Sequence, residues 1–145
     1  MLFTRLDFAI DENGNLSTID GDIARFSSVE SVQKAIEWRL KTTKDEWYVN
    51  PYIVAGVLDF VGRKNDRDTG ELMRTRIETA ICSDNFVPRN NLIADVVPIS
   101  REEVQIIIIV KDFYAPDLSE QIDLKLTYEF SYQEGLITSL TGGTR

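Results

Sequence analysis

The last third of the chain alternates apolar and polar residues with a period of two, which is typical of β-strands. This pattern predicts strands over residues 91–99, 103–113 and 122–132, and a short paired segment over residues 136–140. In the third strand, apolar side chains share one face and polar side chains share the other. Such a strand is half-buried, as in an antiparallel sheet with one face on the core.

The middle strand differs, because its centre is apolar on both faces. Ile107 and Ile109 add apolar side chains to the face that is polar in a simple alternating strand. Continuous apolar runs are typical of strands that are buried on both sides. We therefore expect the centre of residues 103–113 to be covered on both faces.

The same alternation occurs near the start of the chain, on both sides of Asn13 and Gly14. An Asn-Gly pair suits the positive φ angles of a tight hairpin turn. Residues 6–19 are therefore predicted to form a β-hairpin, and residues 20–26 a connector. The apolar face of the first strand consists of Leu6, Phe8 and Ile10.

Helical periodicity appears in two segments, residues 27–41 and about residues 70–84. Ser27 and Glu30 have the spacing of a capping box, which satisfies backbone N–H groups at a helix start. Residues 42–68 break the pattern, although residues 54–60 fit a short helical turn. The apolar stripes are Val29, Val32, Ile36 and Leu40 in the first helix and Met73, Ile77, Ala80 and Ile81 in the second.

This order of elements predicts an α+β fold, in which an N-terminal hairpin and two helices pack with a small, mostly antiparallel sheet. A length of 145 residues fits one domain. We place that domain at residues 1–140 and expect residues 141–145 to fray.

Composition removes several classes of function. The net charge of −8 disfavours binding to nucleic acid, and no apolar run reaches the roughly 20 residues of a membrane span. The chain contains no histidine, which removes the commonest general base and most zinc sites. Its one cysteine cannot form an intramolecular disulfide. No signal peptide is readable, so we expect synthesis in a cytoplasm, with neither cofactor nor metal.

The composition is compatible with an enzyme that uses only carboxylates for catalysis. Glu37 and Glu46 lie around the end of the first helix, and a glycosidase needs only two acids at a suitable separation. Because the chain has 24 acidic residues, however, a close pair also arises by chance on a solvated surface. Neither acid has a sequence neighbour that marks it as catalytic.

Two other sets of residues suggest partner binding. Trp47 and Tyr48 either close the core over the helix end or are presented to another protein, and the sequence leaves both alternatives open. Pro88 ends the second helix and is followed by Arg89. A rigid proline at such a corner fixes the direction of a guanidinium that can bind a carboxylate through two hydrogen bonds. The alternative is a simple helix stop followed by a solvated cation.

In their order and spacing, these segments resemble the small baseplate wedge proteins of contractile phage tails, whose relatives initiate the sheath or serve type VI secretion and related injection machines. The likeness begins with the hairpin and the helix "VQKAIEWRLKT". The loop "DEWYVNPYIVAGVLDF" then looks like the Gly-Glu-aromatic, Pro, Gly, Leu loop of that family. A second helix ending in Pro-Arg and a run of strands complete it. The chain departs from the family at Val87, where Glu is typical, and at Asp45, where Gly is common.

The resemblance implies a structural subunit without enzymatic activity, located in the tail baseplate of a virion and assembled in the host cytoplasm. Its partners would be other wedge proteins, whose helical bundle it clamps, and the sheath protein, whose first ring forms on it by β-strand addition. Neither nucleic acid nor membrane is an expected partner, and the chain would be monomeric alone and multi-copy in the baseplate. The alternatives are a carboxylate-dependent peptidoglycan hydrolase of the tail tip and a free-standing regulatory binding module. The residues expected to contact partners are Arg39, Glu46, Trp47, Tyr48, Pro51, Pro88 and Arg89.

Overall fold

Two helices pack on one face of a four-stranded antiparallel sheet. The computed structural model describes residues 18–19, 22–23, 28–43, 45–47, 50–116 and 118–144, with side chains for residues 28–43, 45–47, 50–116 and 118–140. In chain order, the elements are β1 (Thr18–Ile19), β2 (Asp22–Ile23), α1 (Ser28–Lys41), 3-10 turns at Pro51–Ile53 and Val57–Phe60, α2 (Arg67–Cys82), a 3-10 turn at Arg89–Asn91, β3 (Leu92–Pro98), β4 (Glu103–Phe113), β5 (Ile122–Ser131) and β6 (Ile137–Thr144).

The sheet is a meander in which each strand pairs with the next, in the order β3-β4-β5-β6. Directly opposite residues share a face, so Ala94, Ile108 and Leu126 form one row on the inner face. The predicted α+β fold is confirmed, as are the strands that we placed at β3, β4 and β5. These elements were predictable because their alternation of apolar and polar residues matches the pleat.

The core lies between the inner face of the sheet and the apolar stripes of α1 and α2. Val32, Ile36 and Leu40 of α1 are fully buried. The stripe of α2 is buried in the same way, which confirms its predicted orientation. Its members are Met73, Ile77, Ala80 and Ile81.

The outer face of the sheet is less buried than the inner face over the residues whose side chains are described. Ile107 and Ile109 are only half-buried, and Ile93 on the neighbouring strand is exposed. Thr127, which lies opposite Ile107 on β5, is buried, so the centre of the outer face is shielded more than its β3 edge. Both helices pack on the inner face, so Ile107 and Ile109 are less buried than Ile106 and Ile108 beside them.

Several boundaries also differ from those predicted. Helix α2 begins at Arg67 rather than near residue 70, because the Asp66 carboxylate accepts a hydrogen bond from the Thr69 backbone N–H at 2.8 Å and so caps the first turn. Residues 141–144 do not fray: they continue β6 opposite residues 124–127 of β5, whose backbone edge supplies their partners. A register shift at Thr127 and Tyr128 accompanies this pairing.

The described residues include only part of the predicted N-terminal hairpin. The hairpin turn at Asn13 and Gly14, its apolar face and the capping residue Ser27 lie outside the described residues. Strands β1 and β2 pair with each other, with Ile19 opposite Asp22. The segment predicted as a connector therefore contains one short strand.

The two faces of β4 make a direct comparison possible. We expect Ile108→Ala to lower the free energy of unfolding by about 2–5 kcal/mol, because it leaves a cavity in the core. Ile109→Ala, the same change one position away on the outer face, should cost about 1 kcal/mol or less. Urea unfolding of both variants measures the difference, and equal costs would contradict the weaker packing of the outer face.

Candidate partner-binding site

Arg39 joins the end of α1 to the end of α2 from a buried position. Its Nη1 donates to the Ala80 carbonyl at 2.7 Å, and Nη1 and Nη2 each donate to one oxygen of Asp84 at 2.9 Å. The guanidinium carbon also lies 4.5 Å from the centre of the Phe86 ring. With 7% of its surface exposed, Arg39 is bound within the chain and is not a free contact for a partner.

The contact with Arg39 changes the pKa of the Asp84 carboxyl group. The hydrogen bonds from Arg39 lower the pKa of the Asp84 carboxyl below its ordinary value, although partial burial opposes the shift. Asp84 also accepts a hydrogen bond from the Phe86 backbone N–H at 3.3 Å. The carboxylate therefore shapes the turn that follows α2 as well as pairing with Arg39.

That turn leads into the Pro88-Arg89 corner. Val87 is fully buried in the core. Pro88 has an extended backbone and precedes the 3-10 turn that starts at Arg89. The Arg89 guanidinium is 68% exposed and lies 3.6 Å from a Glu78 oxygen, and Glu78 also pairs with Arg74. A corner fixed by Val87 and Arg39 thus directs one arginine towards solvent.

Trp38 and Trp47 form an exposed aromatic pair at the end of α1. Their ring centres are 5.3 Å apart and their planes are almost perpendicular, with exposed fractions of 41% and 39%. A turn sets Trp47 in place, because its backbone N–H donates to the Thr43 carbonyl and Glu46 bonds to the Thr43 hydroxyl. Of the two alternatives for Trp47, the structure supports presentation on the surface. Tyr48 lies outside the described residues.

The loop after Trp47 carries the remaining predicted residue, Pro51. Asn50 caps the 3-10 turn that Pro51 begins, and the Tyr52 carbonyl accepts a hydrogen bond from Ser83 at the end of α2. The Tyr52 side chain is exposed. A surface cavity of about 220 Å³ lies between this turn and α2. Its lining consists of Pro51, Tyr52, Val54, Thr75, Arg76 and Thr79.

Gly56 returns the chain from this loop to the core. Its φ angle of +61° is left-handed, a conformation that glycine adopts without strain. A Cβ here would also lie 2.8 Å from an Asp59 oxygen. Both observations give a local reason for glycine at this position.

Strand β3 presents one backbone edge that faces away from β4. The Ile99 N–H bonds to the Glu103 carbonyl, and the Val96 N–H bonds to the Asp95 side chain rather than to β4. Backbone N–H directions alternate along an antiparallel strand. The backbone groups of the odd-numbered residues of β3 therefore bond to β4, and those of the even-numbered residues point away from β4, towards the free edge. The residues whose backbone groups point away from β4 are Leu92, Ala94, Val96 and Pro98, of which Pro98 has a carbonyl but no N–H. Within the part of the chain that the structure describes, no backbone group bonds to this edge.

The two acids considered for catalysis are each engaged by near neighbours. Glu37 pairs with Lys41 at 2.7 Å and with Lys34 at 3.9 Å, while Glu46 bonds to Thr43. These contacts give both carboxylates ordinary surface roles.

A different pair of carboxyl groups, Glu103 and Glu129, lies on adjacent strands. The pKa of Glu129 is raised, chiefly by a hydrogen bond with the Glu103 side chain on the adjacent strand. Both line a cavity of about 380 Å³, with Glu102 and Glu134 at its wall. Sequence reasoning missed this pair because the two residues are far apart along the chain.

Cys82 ends α2 in a buried position, and burial raises the pKa of its thiol. Among the residues described, no three histidine, cysteine or acidic side chains are grouped to hold a metal ion. None of the described helices has the length and apolar character needed to cross a membrane. Comparison with family models, curated proteins and solved structures finds no match for this chain.

The lowered pKa of Asp84 makes a pH-dependent prediction. A carboxylate whose pKa is lower in the folded chain stabilises the fold above the unfolded-state value, and this contribution disappears as the pH falls through the folded-state value. We expect wild type to be more stable than Asp84→Asn near neutral pH, with the difference shrinking below about pH 4. Urea unfolding across this range measures it. A difference that stays constant would show that the ion pair does not contribute.

Proposed function

We propose that this chain is a structural subunit of a contractile-tail baseplate that works by binding other proteins. In this role it clamps the helical bundle of larger wedge proteins and accepts a β-strand on which the first sheath ring assembles. The observation that carries the proposal is the outward edge of β3, because unpaired backbone groups of an edge strand can bind an extended segment of another protein. The ordered likeness of the sequence to the small wedge proteins supplies the biological setting.

The corner of α2 and the aromatic pair supply a second type of contact. Arg89 offers a guanidinium to a carboxylate of a neighbouring subunit, and its present partner Glu78 is 3.6 Å away and shared with Arg74. Trp38 and Trp47 expose the large aromatic surface that often contributes most to protein–protein affinity. Arg39 has a positioning role, because it holds the corner from within.

We further infer that the chain is monomeric before assembly and present in several copies in the finished baseplate. Assembly takes place in the host cytoplasm, and the mature location is the tail of the virion. The net charge of −8 supports this sequence of events, because mutual repulsion keeps free copies apart until specific partners bind.

A carboxylate-dependent hydrolase of peptidoglycan is the second candidate, and the Glu103–Glu129 pair favours it. The hydrogen bond with Glu103 raises the pKa of Glu129, and a raised carboxyl pKa is a property of general acids in glycosidases. Digestion of purified cell walls by the full chain tests this candidate. Activity that is lost in Glu129→Gln or in Glu46→Gln would favour the hydrolase over the structural role.

The structural role makes a specific prediction for Arg89. Arg89→Glu should prevent wedge assembly or sheath nucleation, because it places a negative charge beside Glu78 and opposite the expected partner carboxylate. The isolated variant should unfold within about 0.5 kcal/mol of wild type, since the side chain is exposed. Electron microscopy of assembling particles measures the first effect, and urea unfolding the second.

Arg101→Glu is the matched control, because it makes the same charge change in the turn at the other end of β3. Particles that assemble normally with Arg101→Glu and fail with Arg89→Glu would support the proposed contact. Normal contractile particles with both variants would refute the role of Arg89. Failure with both would mean that net charge, not the corner, controls assembly.

A further inference from the structure

The outward edge of β3 is already occupied at one point by a side chain of its own. The Asp95 carboxylate accepts the Val96 backbone N–H at 2.9 Å, which is the distance expected of a strand-to-strand hydrogen bond. The Val96 N–H points away from β4, so a strand added to this edge needs the same N–H as a hydrogen-bond donor. The Asp95 carboxylate therefore stands where a carbonyl of an added strand would bind.

The neighbours of Asp95 define what such a strand must present on the outer face. Ile93 and Val97 lie two residues before and after Asp95, and all three side chains are exposed. Directly opposite residues of paired strands share a face, so an added strand places one side chain beside each of these three. Apolar side chains suit Ile93 and Val97, whereas a cation suits Asp95.

The cross-strand row that contains Asp95 has no lysine or arginine that could pair with its carboxylate. On the outer face, Asp95 is opposite Ile107 of β4, which is in turn opposite Thr127 of β5. Lys125 belongs to the row of Ile93 and Ile109 instead, two strands away from β3. None of the described lysines and arginines forms an ion pair with Asp95, whose carboxylate accepts a hydrogen bond from the Val96 N–H.

We propose that Asp95 acts as an electrostatic latch on the β3 edge and selects a partner strand that carries Lys or Arg between two β-branched apolar residues. The cation attracts the carboxylate away from the edge, so that the Val96 N–H becomes free to bond to the added strand. A strand without the cation must compete with Asp95 for that donor. This inference rests on the proposed function, because it names the chemistry of the strand that the edge accepts.

A second copy of the chain is a poor occupant of this edge. Each copy carries a net charge of −8, and β3 contains no Lys or Arg to place opposite Asp95. Two β3 strands paired through their centres would bring two Asp95 carboxylates together, which is unfavourable for directly opposite positions. The partner is therefore a segment of a different protein.

Labelled peptides test the latch on the full chain. The probe TVTKTVT has the required pattern and reads the same in both directions, so it fits parallel or antiparallel addition, and TVTETVT replaces the cation with an anion. We expect the full chain to bind the lysine peptide about tenfold more tightly than the glutamate peptide, as measured by fluorescence polarisation. Asp95→Lys should reverse this order.

Two further variants separate the latch from simple charge attraction. Asp95→Asn removes the charge but keeps an oxygen for the Val96 N–H, whereas Asp95→Ala removes both. The neutral peptide TVTTTVT should therefore bind several-fold more tightly to Asp95→Ala than to Asp95→Asn, since only the alanine variant leaves the donor free. Hydrogen exchange at the Val96 amide should slow when the peptide binds.

A lysine peptide with alternate backbone nitrogens methylated, in both possible registers, is the control for non-specific attraction. It keeps every side chain but cannot form the strand ladder, so it should not bind. Equal binding of this control, an unchanged order in Asp95→Lys, protection of another edge, or no binding of any peptide would overturn the inference. Dimers of the full chain protected at Val96 would also overturn it, in favour of a second copy. All of these outcomes are independent of particle assembly with Arg89→Glu, which tests the baseplate role.

Discussion

Arg39 lies where the ends of α1 and α2 meet, and a buried guanidinium is stable only when its donors find acceptors. The Ala80 carbonyl and the two oxygens of Asp84 meet that requirement, and the Phe86 ring covers the flat face of the group. Because the acceptors come from the last turn of α2 and the residues after it, the requirement also fixes the path of the chain beyond the helix. This internal contact therefore also positions the exposed corner at Arg89 and the start of β3.

The elements that sequence reasoning predicted well are those whose pattern repeats along the chain. Strands β3 to β5 and the stripes of both helices follow from periods of two and of about 3.6, because burial on one face imposes those periods. The periodicity predicts the start of α2 too late, because a single cap, Asp66, decides it. The sequence pattern underestimates the extent of β6, because pairing with β5 outweighs the poor strand propensity of Gly142 and Gly143.

The candidate site was harder to predict, because its important contacts join distant residues. Arg39 near a helix end suggests a solvated cation, yet its partner Asp84 lies 45 residues away. Trp38 carried no signal of its own and gains meaning only from its contact with Trp47. The bond between Asp95 and Val96 depends on which backbone groups face away from β4, and that alternation is set by register rather than by residue type.

The order of the elements along the chain also has a consequence for biosynthesis. Both helices precede all four strands of the large sheet, so their apolar stripes emerge from the ribosome well before β4 and β5 can cover them. The meander then forms from neighbouring hairpins, which close quickly because their contacts are local in sequence. The nascent chain therefore exposes the apolar faces of its helices for several seconds at ordinary translation speeds. That interval is when chaperones have the greatest opportunity to bind it.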